Sequence, residues 1–274
     1  MVKGVYSERH RQCGFGTYPL TGDQCMEAIS TAVEIGYRAI DTAQMYQNES
    51  DTGKALSATG IPRDEFFVTT KVEHTNYSKN VFLPSVERSL EALQTDYVDV
   101  LLLHWPPPDF NIAPALDLLV SAYDRGFARH IGVSNFNSTM MREAKTISNI
   151  PIVVNQVEFH PLLNQEILLS VSEETGIPLA AYCAVARGEI FKYPALTKIG
   201  EKYGKSAAQI AQRWILQKGV SVNTMSTNPT NIKANFDIID FQLSDVDMAL
   251  VDELTQNNYR IVDKSLVPWA PKFD

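Results

Sequence analysis

Four residues whose side chains could together protonate a carbonyl oxygen stand at or just after the ends of apolar segments: Asp41, Tyr46, Lys71 and His104. A tyrosine titrates at about pH 10, so one that donates a proton at neutral pH needs a neighbour that stabilises its phenolate. A lysine ammonium within hydrogen-bonding distance does this, and a carboxylate keeps a desolvated lysine protonated. A histidine supplies a second donor to the carbonyl oxygen. The set predicts protonation of a carbonyl oxygen while a hydride arrives at its carbon.

Taken singly, each of these residues is more typical of a structural role. An aspartate after a strand often caps a helix, and a lysine at a strand end is usually solvated. His104, between Leu103 and Trp105, has the surroundings of a core histidine. The prediction of catalysis therefore depends on the combination, which requires a fold that brings the four side chains to one place.

Short apolar or β-branched segments with the character of buried parallel strands recur along the chain. They cover 37–41, 66–72, 97–104, 130–134, 152–158, 178–183 and 220–225, and 13–17 is an eighth candidate. Segments with a helical period separate them, at 21–36, 81–93 and 206–218. Eight strands that alternate with helices predict a (β/α)8 TIM barrel, in which chemistry sits at the carboxyl ends of the strands.

The length of 274 residues fits one such barrel, without a linker that would divide it into domains. A doubly wound dinucleotide-binding sheet would show the same alternation, but it should carry Gly-x-Gly-x-x-Gly after its first strand. Here Gly14 and Gly16 are followed by Thr17, Tyr18 and Pro19, so the third glycine is missing. We therefore predict a single barrel domain over 1–274.

Composition narrows the class of function further. The chain has 24 Lys and Arg against 32 Asp and Glu, a net charge of −8, and no basic cluster, which argues against a nucleic-acid partner. No segment approaches the roughly 20 apolar residues of a membrane span. Three widely spaced cysteines and a polar N-terminus without a secretory signal predict reduced thiols and a cytoplasmic protein. A metal-dependent hydrolase would need clustered ligands, and no His-x-His occurs, so we expect no metal site.

Five motifs, in order over almost the whole chain, resemble those of the aldo-keto reductase family. They are Asp41-Thr42-Ala43 with Tyr46, Asn48 and Glu49; Lys71 in a Val-x-x-Lys strand; His104-Trp105-Pro106; Gly132-Val133-Ser134-Asn135-Phe136; and Asn155-Gln156-Val157-Glu158-Phe159-His160-Pro161. The resemblance implies that Tyr46 is the general acid, Lys71 lowers its pKa, Asp41 is the partner of Lys71, and His104 orients the carbonyl.

The same resemblance implies a nicotinamide cofactor, NADP(H) or NAD(H), and a small-molecule carbonyl substrate. Ser134, Asn135 and Gln156 match the positions that hold the nicotinamide carboxamide, whose oxygen and NH2 group suit hydroxyl and amide partners. Tyr182 matches the aromatic ring on which the nicotinamide stacks. The remaining implied cofactor contacts are Thr17, Ser226, Thr227 and Asn235, of which Asn235 matches an adenine contact. The implied substrate pocket has Tyr18, Trp105 and Trp269 on its walls, with 255–274 as a C-terminal pocket loop; Trp269 is also compatible with anchoring the tail to the barrel exterior.

The sequence departs from the family pattern in three places. Met225 and Asn231 stand where the family commonly has the Lys and Arg that grip the 2′-phosphate of NADPH, so we expect a weakened preference for NADPH. The segment 183–188 after Tyr182 also differs and offers Arg187 as a replacement anion contact, or as a surface charge. The N-terminus lacks the usual full pair of leading strands, which predicts a less plugged barrel bottom.

We therefore predict an NAD(P)H-dependent reductase of small aldehydes or ketones, or an enzyme that runs the reverse oxidation. The alternative from another class is a cofactor-binding sensor or structural protein on the same barrel with incidental catalysis. Similar barrels are commonly monomers, and a monomer is expected here.

Overall fold

Eight parallel strands form a closed barrel in the computed structural model, which describes residues 4–274. Each strand pairs with the next along the chain, and the last pairs with the first. The strands are β1 (Cys13–Gly16), β2 (Ala39–Asp41), β3 (Phe67–Val72), β4 (Val98–Leu103), β5 (Ala128–Ser134), β6 (Ile152–Glu158), β7 (Leu179–Tyr182) and β8 (Ser221–Thr224). The predicted (β/α)8 architecture is confirmed, and each predicted strand boundary lies within two residues of the observed one.

Helices on the outside of the barrel connect the strands, and two more follow the last strand. They are α1 (Gly22–Ile35), α2 (Glu49–Ala58), α3 (Phe82–Leu93), α4 (Ile112–Asp124), α5 (Ser138–Ile147), α6 (Glu166–Thr175), α7 (Pro194–Tyr203), α8 (Ala207–Gln217), α9 (Pro229–Phe236) and α10 (Asp245–Asp252). The start of α8 shows how the sequence sets these bounds. Ser206 and Gln209 form a capping box, each side chain bonding the backbone N–H of the other, and Lys218 follows the last turn.

Most of the barrel wall is buried on both faces, which is why apolar and small residues predominate in its strands. Every residue of β3 and β4 is buried. Close packing against β5 requires a glycine at Gly132, because a Cβ atom there would lie 2.7 Å from Cδ2 of Leu102 and 2.8 Å from Cγ1 of Val154. The wall therefore holds the strand ends, and the side chains on them, in fixed positions.

The amino-terminal segment closes the bottom of the barrel, so the expectation of a less plugged bottom is wrong. Two short 3-10 turns, Gly4–Tyr6 and Arg9–Arg11, replace leading strands. Tyr6 is buried and packs edge-on against Phe67, the first residue of β3, with ring centroids 5.3 Å apart. The guanidinium of Arg11 lies 4.7 Å from the centroid of the same ring. One large aromatic side chain thus does what a pair of strands was expected to do.

Across residues 4–274, none of the helices has the length and apolar character needed to cross a membrane.

Candidate active site

The four residues of the predicted proton-donating set meet at the carboxyl-terminal mouth of the barrel. Asp41 ends β2, Lys71 lies near the end of β3, His104 follows β4, and Tyr46 ends a 3-10 turn after β2. The Lys71 ammonium bonds a carboxylate oxygen of Asp41, the Thr42 carbonyl oxygen at 3.0 Å and the Tyr46 hydroxyl at 3.3 Å. A buried ammonium therefore links a carboxylate to a phenol.

The strand period explains why Lys71 points inward. Side chains alternate between the two faces of a strand, so Lys71 shares a face with Phe67, which packs against Tyr6 inside the barrel. Lys71 is fully buried. Burial alone would lower the pKa of its ammonium, but the charge of Asp41 and the Tyr46 hydroxyl outweigh this effect and raise the pKa above its usual value. Lys71 is therefore a cation at neutral pH.

Two opposing effects act on the pKa of Tyr46, whereas the sequence predicted only a lowering by Lys71. Burial raises the pKa of its phenol, and the nearby Lys71 ammonium lowers it. The burial effect is the larger of the two, so the pKa of Tyr46 lies above its ordinary value in the cofactor-free protein. Lys71 thus acts on Tyr46 in the predicted direction but does not by itself bring the pKa below 10.

His104 stands beside Tyr46 as a neutral imidazole. The two rings meet edge to face with centroids 5.5 Å apart. Burial, followed by the charge of Lys71, holds the pKa of His104 well below its ordinary value. Its Nδ1 is buried without a hydrogen-bond partner. Nε2 is therefore the ring nitrogen left to face a molecule bound in the barrel mouth.

The side chains predicted to bind the carboxamide also lie together, at the ends of β5, β6 and β7. The Ser134 hydroxyl donates to the Gln156 carbonyl oxygen at 2.7 Å, and the Asn135 amide donates to the Ser134 hydroxyl at 3.1 Å. The Tyr182 hydroxyl donates to the Asn135 side-chain oxygen at 2.7 Å. Hydroxyl and amide groups beside an aromatic ring match the donor and acceptor needs of a carboxamide attached to a flat ring.

Gln156 makes a contact that its predicted role does not include. Its side-chain nitrogen donates to the second carboxylate oxygen of Asp41 at 2.6 Å, across the barrel from β6 to β2. The two residues are 115 positions apart. The carboxamide cluster and the proton-donating cluster therefore share a hydrogen bond.

Thr17 and Tyr18 are held at the site by Asn48, whose only signal in the sequence is its place in the motif that begins at Asp41. Asn48 is fully buried, and its amide donates to the carbonyl oxygens of Thr17 at 3.1 Å and Leu20 at 2.8 Å. Its oxygen accepts from the hydroxyl of Thr42 at 2.8 Å. This places the Tyr18 ring 5.0 Å from the Tyr46 ring, centroid to centroid.

A C-terminal strap, residues 258–274, crosses the mouth of the barrel. The predicted pocket loop began at 255, but residues up to Asn257 belong to a 3-10 turn after α10. Glu158, at the end of β6, accepts hydrogen bonds from the backbone of Ile261 at 2.7 Å and Val262 at 2.8 Å. At the far end, the Ser138 backbone and hydroxyl donate to the Asp274 carboxylate. The strap is thus fastened at both ends.

Glu158 is a buried anion whose partners are all donors. His160 Nδ1 accepts from the Leu162 backbone, so Nε2 is the protonated nitrogen and donates to Glu158 at 2.9 Å. Burial would raise the pKa of Glu158, but the bonds from His160, Ile261 and Val262 outweigh it and hold the pKa below its ordinary value. In the sequence, Glu158 appears only as one residue of the motif that runs from Asn155 to Pro161, without a predicted role.

Between its ends, the strap builds an apolar wall over the site. Trp105, Val262 and Ala270 are buried together, and Trp269 and Tyr182 pack against them. The Trp269 indole stacks on His74, with ring centroids 4.4 Å apart. Of the two placements considered for Trp269, these contacts favour the pocket wall over the barrel exterior.

The residues predicted to meet the adenosine end of a cofactor follow β8, away from the proton-donating set. Met225 and Asn231 are exposed, and the Asn235 side-chain oxygen accepts from Gln212 at 2.7 Å. Asn228 caps α9, because its side-chain oxygen accepts from the backbone N–H groups of Thr230 at 2.9 Å and Asn231 at 3.3 Å. Ser226 accepts from the Asn228 backbone at 3.1 Å, and Thr227 is exposed. Arg187, with a left-handed φ of 50°, is exposed in the segment after Cys183.

The fold and the site define a class, and comparison with known proteins agrees with it. The model of the Aldo/keto reductase family matches residues 12–256, and the chain belongs to this family. Its reaction is the NAD(P)H-dependent reduction of a carbonyl group.

Individual relatives cover nearly the whole chain. It is 36% identical over 264 residues to the methylglyoxal reductase DkgB of Yersinia pestis, which spans 95% of this chain and 98% of that protein. A crystal structure of a candidate 2,5-diketo-D-gluconic acid reductase B has 42% identity and a TM-score of 0.94, and covers 100% of this chain and 98% of the other. The aldo-keto reductase of Bombyx mori in complex with NADP has 33% identity and a TM-score of 0.86, with 93% and 92% covered.

Proposed function

We propose that Tyr46 donates the proton to the carbonyl oxygen of a small aldehyde or ketone, and that Lys71, Asp41 and His104 support it. The observation that carries the proposal is the Lys71 ammonium, which lies 3.3 Å from the Tyr46 hydroxyl and is paired with Asp41. As the proton leaves Tyr46, the ammonium stabilises the phenolate, and the carboxylate keeps the ammonium protonated. His104 Nε2 donates to the same carbonyl oxygen and aligns it with the Tyr46 hydroxyl.

The side chains at the ends of β5 to β7 fit a nicotinamide, which supplies the hydride when it is bound. Ser134, Asn135 and Gln156 offer hydroxyl and amide groups to its carboxamide, and the Tyr182 ring covers one face. Thr17, Ser226, Thr227 and Asn235 complete the proposed cofactor contacts. The strap and the rings of Tyr18 and Trp105 exclude water from the opposite side, where the carbonyl is held.

The test is Tyr46→Phe, which removes the hydroxyl and keeps the ring. We expect nicotinamide binding to persist and kcat for carbonyl reduction to fall by about 100-fold or more, the size of a lost general acid. Tyr123→Phe on α4 is the matched control and should retain wild-type kcat. Undiminished turnover in Tyr46→Phe would show that another group supplies the proton. The same variant tests the sensor alternative, since a protein that only binds cofactor has no need of the acid and its lysine.

We further propose that the substrates are small carbonyl compounds such as methylglyoxal. Support comes from the relatives named as methylglyoxal reductases and from the small apolar wall around Trp105 and Val262. A panel of aldehydes and ketones, followed by the loss of reduced-cofactor absorbance, should give the highest kcat/KM with short dicarbonyls. Exclusive activity on long-chain or bulky aromatic aldehydes would contradict this assignment.

We propose that the preference for NADPH over NADH is weak. Neither Met225 nor Asn231 carries a charge for a 2′-phosphate, and Lys233 is the nearest exposed cation in the sequence. The Thr230 and Asn231 N–H groups, which would otherwise face an anion at the start of α9, already donate to the Asn228 side chain. A ratio of kcat/KM values for NADPH and NADH above about 100, which corresponds to about 2.7 kcal/mol, would overturn the proposal.

The converse experiment restores the charge. Met225→Lys with Asn231→Arg should raise the NADPH to NADH ratio by about tenfold or more, because each cation adds a charge-assisted bond to the phosphate. Val246→Lys with Leu250→Lys on α10 adds the same two charges elsewhere on the surface and is the control for net charge. An equal rise in that control would attribute the effect to the long-range field of the protein.

A further inference from the structure

The contact between Gln156 and Asp41 connects the carboxamide cluster to the proton-donating cluster. Gln156 is buried on β6, and its side-chain nitrogen donates to the Asp41 oxygen that Lys71 does not use. Each oxygen of this buried carboxylate therefore has one donor of its own. Hydrogen bonds run without a gap from Gln156 through Asp41 and Lys71 to the Tyr46 hydroxyl.

The position of Gln156 is fixed from the opposite side. Its backbone oxygen accepts from the Ser134 hydroxyl at 2.7 Å and from the Asn135 backbone at 2.9 Å. Ser134 and Gln156 are register partners in the β5 and β6 pairing. The amide that reaches Asp41 therefore projects from a rigid strand end.

The second donor matters because the carboxylate is almost out of contact with water. Asp41 is 6% exposed, so an oxygen without a donor would be left unsatisfied in the barrel interior. Such a carboxylate turns toward other donors or draws the Lys71 proton more strongly. Either response weakens the stabilisation that the ammonium gives to a Tyr46 phenolate.

We propose that Gln156 is a positioning residue for the proton donor. It fixes Asp41, and through Asp41 it fixes the Lys71 ammonium that faces the Tyr46 hydroxyl. The inference goes beyond a role in holding the carboxamide, and it rests on the proposed function in which Tyr46 is the acid.

The groups that face Tyr46 limit what a pH profile can report. Lys71 and Asp41 face it from β3 and β2, His104 from β4, Tyr18 from the β1 loop, and Tyr182 and Cys183 from β7. Tyr6 faces Asp41 from below. His104 is neutral at all pH values of interest, and burial raises the pKa of Cys183 to about 11 and that of Tyr182 well above 10. Because Tyr46, Tyr182 and Cys183 all titrate in the alkaline range, the alkaline limb is assigned to Tyr46 through its loss in Tyr46→Phe.

The experiment compares Gln156→Met with Tyr182→Phe. Methionine keeps the length of the side chain and removes both donors of the amide, whereas Tyr182→Phe removes a hydroxyl that bonds Asn135 and neither Gln156 nor Asp41. For each protein, kcat for reduction is measured with saturating cofactor from pH 6 to about 11.5, a range that includes the alkaline limb, and cofactor Kd is measured by fluorescence titration.

We expect Gln156→Met to move the alkaline limb of kcat upward by about one pH unit and to lower kcat at pH 7 by about tenfold. Tyr182→Phe should weaken cofactor binding and leave the limb in place. An unmoved limb in Gln156→Met, with only Kd raised, would overturn the proposal. Gln156→Asn, which keeps the amide but shortens its reach, should shift the limb in the same direction and replaces the methionine variant if that variant does not fold. An alkaline limb that persists in Tyr46→Phe would instead contradict the proposed acid, whatever Gln156 does.

Discussion

Replacement of Glu158 by glutamine should loosen the C-terminal strap and lower the stability of the whole chain. The Glu158 carboxylate accepts three hydrogen bonds, from Ile261 N, Val262 N and His160 Nε2, at 2.7, 2.8 and 2.9 Å. Glutamine has a single acceptor oxygen on its side chain, and its NH2 group would face one of the three donors. Glutamine therefore has the same shape as glutamate but places a donor where one of the three backbone or imidazole donors needs an acceptor.

The size of the effect follows from this count. A hydrogen bond to a charged group contributes about 2 kcal/mol, and one between neutral groups about 1 kcal/mol. Three of the former become two of the latter, a gross loss of about 4 kcal/mol. The lower cost of burying a neutral amide offsets about half of this, which leaves a net loss of about 2 kcal/mol. For a chain of 274 residues, Tm should fall by about 3–4 °C.

The measurements are thermal unfolding and KM for a small aldehyde. KM should rise in Glu158→Gln because Val262 belongs to the apolar wall of the pocket. Glu174→Gln is the control, since Glu174 is a half-exposed surface residue paired with Arg142 and its loss should leave Tm and KM almost unchanged. Equal Tm values for wild type and Glu158→Gln would refute the claim that this carboxylate holds the strap.

The same residue predicts a dependence on pH. The pKa of Glu158 is lowered in the folded protein, so its contribution to stability is complete above the ordinary glutamate value of about 4.3. It is lost as the pH falls below that value through the lowered pKa. The difference in Tm between wild type and Glu158→Gln should therefore be constant from pH 6 to 8 and should shrink below about pH 4.

Two further predictions concern the framework of the site. Asn48→Ala should leave the carbonyl oxygen of Leu20 without its side-chain donor and that of Thr17 with the Leu20 N–H alone. We expect this to cost about 1–3 kcal/mol in urea unfolding and to raise KM through displacement of Tyr18, whereas Asn149→Ala in the α5–β6 connection should do neither. Gly132→Ala should lower the free energy of unfolding by about 1–3 kcal/mol, because its Cβ would meet Leu102 and Val154 at less than 3.0 Å. Gly60→Ala is the comparison: nothing lies within 4 Å of its Cβ, but its φ is +68°, so it reports the cost of backbone strain without a steric clash. An Asn48→Ala protein with unchanged KM, or a Gly132→Ala protein as stable as wild type, would contradict the respective account.

The barrel was predictable from the sequence because its strands are buried on both faces. A strand of this kind is rich in apolar and β-branched residues, and 152–158 was predicted with the bounds that the structure gives to β6. The meeting of Asp41, Lys71 and His104 was predictable for a related reason, since parallel strands bring their carboxyl ends to one mouth.

Contacts made by backbone groups or by distant segments were not predictable in this way. Glu158 binds the N–H groups of Ile261 and Val262, which are 103 and 104 positions away and are present in almost any residue type. Tyr6 closes the barrel bottom from a segment without strand character, so a prediction that counted strands missed it. Both contacts join segments that are close in the folded chain, and no pattern of residue types in the sequence marks them.

The acidity of Tyr46 shows most clearly what residue types alone leave undetermined. A lysine beside a tyrosine predicts a lowered pKa, yet burial of the phenol outweighs the ammonium in this site. The strength of the acid therefore depends on how firmly the ammonium is held and oriented, which is a property of Asp41 and of the donor on its far oxygen. That donor belongs to Gln156, on the opposite side of the barrel. Because the barrel is closed, Gln156, which is predicted to hold the cofactor, also reaches Asp41, the partner of Lys71. A substitution in the carboxamide cluster is therefore expected to change proton donation by Tyr46, and a substitution of Asp41 is expected to change cofactor binding.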